Sequence, residues 1–495
     1  MKHKIIVIGL DGLGPLLFGR LKKRGLLPSI AKLADKGTSQ VLLSTLPPNS
    51  APAWTSFMTG KLPHRHGIFD FLRKEPGSYN LRVVMNTCIN ERRIWNMLDY
   101  AGFSSAFVNF PITYPPEKLN GIMISGMLSP GEKSNFIYPA GVSADLLRRL
   151  RRYIIDVLPA HYMKKGDLVG FIRKLSQMTS MHTEAALYCL EKKQWDFFMV
   201  LFLGLDRLQH CLWQTLDSDC HTRYPDCVSG YFAHLDACVS RILEHISPDT
   251  NVIVVSDHGF GPLDMKLDLN NWLFLNGYLK FKKAKPAFSR TASMLRRVGL
   301  DRLKIRNIAA FFGLSFEDRI RDMAFSMIDW SGTRAFACLS DAIFINLKGR
   351  EKLGIVNGAG EYDELIQEIS SKLKGLKDPV SGETILRGTT VACRQGSGLR
   401  MSAAPDIFLS DYERRYLPVW STSYRDMGGP VFIPRGWQSG SHRKEGMLIS
   451  YGPAFRRNAL AANAAITDVL PTVLSVLGAP VPGDLDGRVL SEILA

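Results

Sequence analysis

Ile5-Ile-Val-Ile-Gly-Leu10 runs straight into Asp11-Gly12, and this junction decides how the chain folds. Six apolar residues without alternation make a strand buried on both faces. The acid and glycine behind them mark a tight turn at the strand's carboxyl end. Runs of the same kind recur at Ala106–Asn109, Phe197–Leu205, Val252–Val255 and Met447–Tyr451, with helix-like patterns at Ile94–Ala101, Met181–Lys193 and Val228–Ile246. Such alternation predicts an α/β protein with a doubly wound, mostly parallel central sheet flanked by helices.

Outward from that strand, the chain of 495 residues divides into three stretches. Residues 1–275 read as the first part of a core. Residues 276–400 carry more charges and glycines and read as an insertion or cap, which continues through Phe311–Met323 and includes the apolar run Ile343–Leu347. Residues 401–495 return to the core and close on a helix, Asp468–Gly478, stopped by Pro480, Pro482 and Gly483. There is no internal repeat and no low-complexity tract.

Composition narrows the class. With 46% hydrophobic and 22% charged residues, the chain is neither disordered nor fibrous. Its longest apolar run, Phe197 to Leu205, is cut off by Asp206, short of the roughly 18 residues a spanning helix needs. Met1-Lys-His-Lys4 followed by a six-residue strand is too short for a signal peptide, so a cytoplasmic location is expected. Eight scattered cysteines without a CxxC pair agree with reduced thiols. The formal net charge of +16 favours an anionic partner without naming one. Its excess gathers at Arg148–Arg152 and Lys280–Arg306, and basic faces of this kind are more often solvated surface than specific sites. Nothing argues for an obligate nucleic-acid partner.

Three strand ends offer ionisable groups to one edge of the sheet, where ligands bind in such folds. Asp11 follows the first strand, Asp206 follows Phe197–Leu205, and Asp257-His258 follow Val252–Ser256. A single Asp in that place is usually a cap or a turn former; three ends, two with a histidine nearby, call for more. Asp206 and His210, four apart, share one face of a helix. Carboxylate oxygens with imidazole nitrogens suit zinc, or manganese as the harder alternative. His442, in Gly440-Ser-His442, is a further imidazole ahead of a strand. Ser50, in Asn49-Ser-Ala-Pro-Ala-Trp54, stands before Pro52, which fits the first helical position; Ser50 is then a candidate nucleophile at a helix start. Taken alone, it reads as a plain capping serine.

In order along the chain, Gly9-Leu-Asp11-Gly12, Ser50-Ala-Pro52 running into Thr59-Gly60 and His66-Gly67, Asp206…His210, Ser256-Asp-His-Gly259 and Gly440-Ser-His442 resemble the alkaline phosphatase superfamily. The likeness is greatest to its type I phosphodiesterase/nucleotide pyrophosphatase branch, and it extends to Asn109–Pro116 and Asp468–Thr472. The resemblance implies an alkaline-phosphatase-like core holding two divalent metal ions, zinc or manganese. Asp206, His210 and His442 would hold one; Asp11, Asp257, His258 and the Ser50 Oγ would hold the other, with Ser50 as nucleophile. It further implies a small anionic phosphoester substrate, hydrolysis of phosphodiester or pyrophosphate bonds, and a phosphoseryl-type intermediate.

The pattern departs from that branch in two places. Threonine is often the nucleophile there, and serine stands here. The branch's nucleotide pyrophosphatases carry an asparagine soon after His-Gly, whereas Ile68-Phe-Asp-Phe71 contains none; Asn109 is the expected substitute donor to substrate. A sulfatase would want an arginine four residues after the nucleophile, where this chain has Trp54. A phosphomonoesterase of the same superfamily stays open, as does a non-enzymatic protein binding an anionic surface through the basic insertion.

Overall fold

The computed structural model describes residues 4–192, 194–217, 224–282, 325–358, 360–391, 403–412, 415–421 and 427–495. Phe311–Met323 and the basic stretch beyond Lys282 lie outside the described residues. Contacts gather the chain into two units. One comprises residues 1–71, 84–264 and 435–495, and the other residues 72–83 and 265–434.

The first unit is built on an eight-stranded sheet in the order Thr38–Leu43, Glu445–Tyr451, Asn251–Val255, Ile5–Leu10, Phe197–Phe202, Ser105–Phe110, Gly121–Ser125 and Ile137–Tyr138. The five strands from Asn251–Val255 to Gly121–Ser125 run parallel, and antiparallel strands close both edges. Every residue of Ile5–Leu10, Ser105–Phe110, Phe197–Phe202 and Asn251–Val255 is buried, as continuous apolar runs require when helices cover both faces. Helices Leu168–Lys192 and Asp226–Glu244 pack against each other. Among the described residues no helix is long and apolar enough to cross a membrane.

Register places the chemistry. Leu10 pairs with Phe202, and Gly9 with both Leu201 and Val255, so three neighbouring strands end level with one another. Asp11, Asp257 and the start of the next helix therefore emerge at one edge. The expected strand Phe197–Leu205 stops at Phe202, because helix Gly204–Leu216 begins there and puts Asp206 in its first turn. The expected helix at Met181–Lys193 is the second half of the longer Leu168–Lys192.

The second unit contains the antiparallel sheet Ala335–Leu339, Ala342–Ile345, Ile407–Tyr412 and Leu386–Val391. Helix Glu361–Lys374 lies on it. A three-stranded sheet joins Met265–Asp268 to Tyr416–Val419 and Phe432–Pro434. The described residues of the expected insertion fall within this unit, which also draws in the hairpin Leu72–Lys74/Leu81–Val83. That hairpin delivers Lys74, fully buried, to Glu351 at 2.8 Å. An ion pair so buried is costly to break from one side, and pairing of this kind is not legible in the Gly/Pro-punctuated sequence.

Candidate metal centre

Asp11 leaves its strand almost wholly buried, with its two oxygens divided. Oδ1 faces Ser50 Oγ at 3.4 Å and His258 Nε2 at 3.6 Å, while Oδ2 accepts the Trp54 indole N–H at 2.9 Å. Trp54 stands where a sulfatase would place arginine, and it holds a carboxylate. Ser50 Oγ lies 3.1 Å from His258 Nε2. Asp257 accepts the Gly12 N–H on Oδ1 at 3.2 Å. Its Oδ2 is buried, 3.3 Å from His258 Nε2, and has no hydrogen-bond partner among the described residues. Gly12 has φ +78°, and a Cβ there would come within 2.8 Å of the Phe260 ring, so only glycine makes this turn.

The helix starts at Ser50 rather than at Pro52, with Asn49 as its cap residue. Pro52 is thus the third helical residue, a place that still tolerates proline because the first intrahelical bond is Ala53 N–H to Asn49 O. Ser50 is at the helix start, as expected, and only 2% exposed.

Asp206 and His210 share one face of helix Gly204–Leu216, and His442 joins them from 232 residues beyond His210. His442 Nε2 is 3.1 Å from Asp206 Oδ1 and 3.1 Å from His210 Nε2. His442 arrives on strand Gly440–Arg443, which pairs antiparallel with Gly259–Pro262 so that Phe260 opposes His442. Neither Gly-Phe-Gly-Pro nor Gly-Ser-His-Arg has the β-branched content that marks a strand. In each group, Asp206/His210/His442 and Asp11/Asp257/His258, the ligand atoms lie within 4.8 Å of one another. The groups adjoin: the His258 and His442 rings stack at 3.8 Å, and His258 Nε2 is 4.0 Å from Asp206 Oδ1. The Phe260 ring meets His210 and His442 at 4.9 Å each.

The three imidazoles are oriented alike. His258 Nδ1 is 3.2 Å from Gly259 O, His442 Nδ1 is 3.0 Å from Pro48 O, and His210 Nδ1 is 3.3 Å from Gly440 O. A carbonyl only accepts, so each Nδ1 carries the proton and each Nε2 turns a bare lone pair on the carboxylates. Burial keeps two of the rings neutral, holding His258 down at about 4 and His442, with His258 beside it, at about 3. Burial, together with Asp257 and Asp206, pushes Asp11 well above the usual carboxylate range. Burial and then Asp206 carry Asp257 to about 8. For Asp206 burial acts upward, but the Arg207 guanidinium beside it prevails and holds it well below that range. Lone pairs facing carboxylates in a largely buried pocket, beside Asp257 Oδ2, make a donor set that divalent cations satisfy. Neutral histidines giving the far N–H to a carbonyl are the usual outer support of such a site.

Asn109, the expected donor to substrate, lies at the carboxyl end of strand Ser105–Phe110, level with Leu201. It stands at an irregularity of strand Ser105–Phe110 with φ +58°, a conformation asparagine tolerates better than most residues. Its amide N–H donates to Leu201 O at 3.3 Å, and its buried Oδ1 has no hydrogen-bond partner among the described residues. Sequence reasoning passed over Trp54, whose spacing of four from Ser50 was the available signal. It also passed over Gln209, whose amide donates to Gly12 O at 2.9 Å and ties the two ligand groups together.

A mostly parallel sheet bearing two carboxylate–imidazole groups and a buried serine at its strand ends is the frame of a metal-dependent hydrolase of phosphoesters. The chain belongs to the type I phosphodiesterase/nucleotide pyrophosphatase family, whose sequence model matches residues 5–411. Comparison with curated proteins finds no match. Among solved structures it is similar to phosphonoacetate hydrolase from Sinorhizobium meliloti 1021 in complex with phosphonoacetate. That likeness has a TM-score of 0.55 at 13% identity, covering 97% of this chain and 96% of that one. It is also similar to murine ectonucleotide pyrophosphatase/phosphodiesterase 5, an inactive form in complex with AMP, with a TM-score of 0.52, 11% identity and full coverage of both chains. The human counterpart gives 0.52 at 11%, over 99% of this chain and all of that one. At such identities the likeness is one of fold, the alkaline-phosphatase-like fold. His442 lies beyond the residues that the family model matches.

Proposed function

We propose that the chain hydrolyses phosphodiester or pyrophosphate bonds through Ser50, with two divalent ions, zinc or manganese, held by the two ligand groups. The observation that carries this is the position of Ser50 Oγ, 3.1 Å from His258 Nε2 and 3.4 Å from Asp11 Oδ1, beside the second group. When bound, the ions supply Lewis acidity, drawing charge from the phosphoryl oxygens and lowering the pKa of a serine hydroxyl or a water. Asp11, Asp257 and His258 hold the serine side. Asp206, His210 and His442 face the same space. Ser50 Oγ forms a new bond to phosphorus as the bond to the leaving oxygen breaks, giving a phosphoseryl or nucleotidyl-seryl ester. Water then cleaves that ester and restores the serine. The start of helix Ser50–Thr59 presents the positive end of its dipole to the phosphoryl group.

Three committed arginines support a diester. A monoester dianion asks for a further cation on its non-bridging oxygens. Arg65 is bound to Asp484 O and Asp486, Arg207 to Asp156 and Asp206, and Arg443 to the carbonyls of Pro262, Ser441 and His442. The test compares specificity constants for matched aryl mono- and diesters on the metal-loaded enzyme. A diester preference is expected; a monoester preference of about tenfold, some 1.4 kcal/mol, would make the protein a phosphatase. A cytoplasmic setting belongs to the same reading and is supported, among the described residues, by the free thiols of Cys88, Cys189, Cys211, Cys227 and Cys238.

A further inference from the structure

We propose that Arg207, braced by Asp156, is a positioning residue that fixes which oxygen of Asp206 is offered to a metal ion. The inference rests on the reading of Asp206, His210 and His442 as one metal site. Asp206 is 1% exposed and its two oxygens are unequal. Oδ1 faces His442 Nε2 at 3.1 Å and His210 Nε2 at 3.4 Å, whereas Oδ2 accepts Arg207 Nη1–H at 2.5 Å. Arg207 is itself held on its other edge. Its Nε–H donates to Asp156 Oδ1 at 2.9 Å and one Nη2–H to Asp156 Oδ2 at 2.8 Å, while Nη2 also touches Met127 Sδ. Asp156 Oδ1 further accepts the N–H of Val157 at 2.7 Å, so the brace ends on backbone.

A planar guanidinium gripped bidentately by one carboxylate has little freedom to swing. With Asp156 fixed, the remaining Nη1–H can hold Asp206 Oδ2 and leave Oδ1 turned to the imidazoles. Arg207 is at most 13% exposed and Asp156 17%, so water competes weakly for either. The charges are balanced for the task. Asp156 offsets the positive charge of Arg207 that would otherwise repel a cation. Asp11 is divided in the same way by Trp54, a neutral donor, so the two sites differ in how their carboxylates are held.

The test is titration of the metal-free full-length protein with Zn²⁺ against a chromophoric chelator, with thermal unfolding measured in parallel. The wild type should take up two ions. Arg207→Gln should weaken uptake of one of them by roughly 10- to 100-fold, the usual cost of losing an outer-shell partner, and leave the other within about threefold. Asp156→Asn should weaken the same ion, and the double variant should cost no more than Arg207→Gln alone, since the two act as a unit. Arg207→Lys, which keeps the charge and one donor, should recover part of the affinity. Should Arg207→Gln fail to fold, Asp156→Asn and Arg207→Lys carry the same comparison. A wild type that binds two ions while the variants lose only melting temperature would make the pair structural and overturn the proposal. A wild type that binds no zinc at that site would overturn the metal reading itself, and this inference with it.

Discussion

His210 Nε2 and His442 Nε2 stand 3.1 Å apart, and each ring has its Nδ1 against a backbone carbonyl. Two lone pairs therefore meet over Asp206 Oδ1. Two hydrogen-bond acceptors do not hold each other, and on the reading proposed above a cation shared by all three residues would account for the approach. The same orientation at His258, opposite Asp11 and Asp257, extends that proposal to a second ion.

Ser50→Ala should lower turnover of an aryl phosphodiester by at least about 10³-fold, as loss of a nucleophile does, while both ions stay bound. The other ligands of its group, Asp11, Asp257 and His258, keep their ligand atoms within 4.8 Å of one another. Steady-state kinetics beside metal analysis checks this. Near-normal turnover would pass the attack to water.

Trp54→Phe removes the donor to Asp11 Oδ2 but keeps an aromatic ring against Phe57 and Phe110. A cost of about 1–3 kcal/mol is expected from the unpaired buried oxygen and the smaller ring. The metal held by Asp11 should bind about tenfold or more weakly. Denaturant unfolding and zinc titration separate the two effects; unchanged zinc affinity would mean that Trp54 acts only as core.

Much of this site could be read in the sequence, because its residues sit at the ends of strands that are apolar throughout. Asp11, Asp206 and Asp257-His258 follow runs whose burial leaves them no other place than the carboxyl edge. Asp206 and His210 share a face by helical spacing alone. His442 was different: its closeness to Asp206 depends on a short pairing of Gly259–Pro262 with Gly440–Arg443, which no local pattern announces. The Arg207–Asp156 brace was hidden for a related reason. It spans 51 residues, and an arginine beside an aspartate is a common surface pair. The second unit was harder still, since its strands are gathered from residues 72–83 and 265–434.

His182 gives a pH dependence away from the site. Burial holds its pKa at about 4 against 6.5 in an open chain, and its Nε2–H donates to Ile154 O at 2.8 Å. Between pH 6.5 and 4 the unfolded chain takes up a proton that the folded chain refuses, so stability falls as pH falls. The ring's share is about 3 kcal/mol over that window. His182→Gln keeps a donor for Ile154 O and should flatten the slope of unfolding free energy against pH by about one proton. An unchanged slope would show that His182 is protonated in the fold.

The central claim is that two divalent ions sit around Ser50. Anomalous diffraction at the zinc edge, from crystals of the zinc-loaded protein, tests it most directly. Two peaks about 4 Å apart are expected, as two-metal phosphoryl sites have. One should lie among Asp206, His210 and His442, the other among Asp11, Asp257, His258 and Ser50 Oγ. A single peak, or peaks away from these residues, would contradict the account.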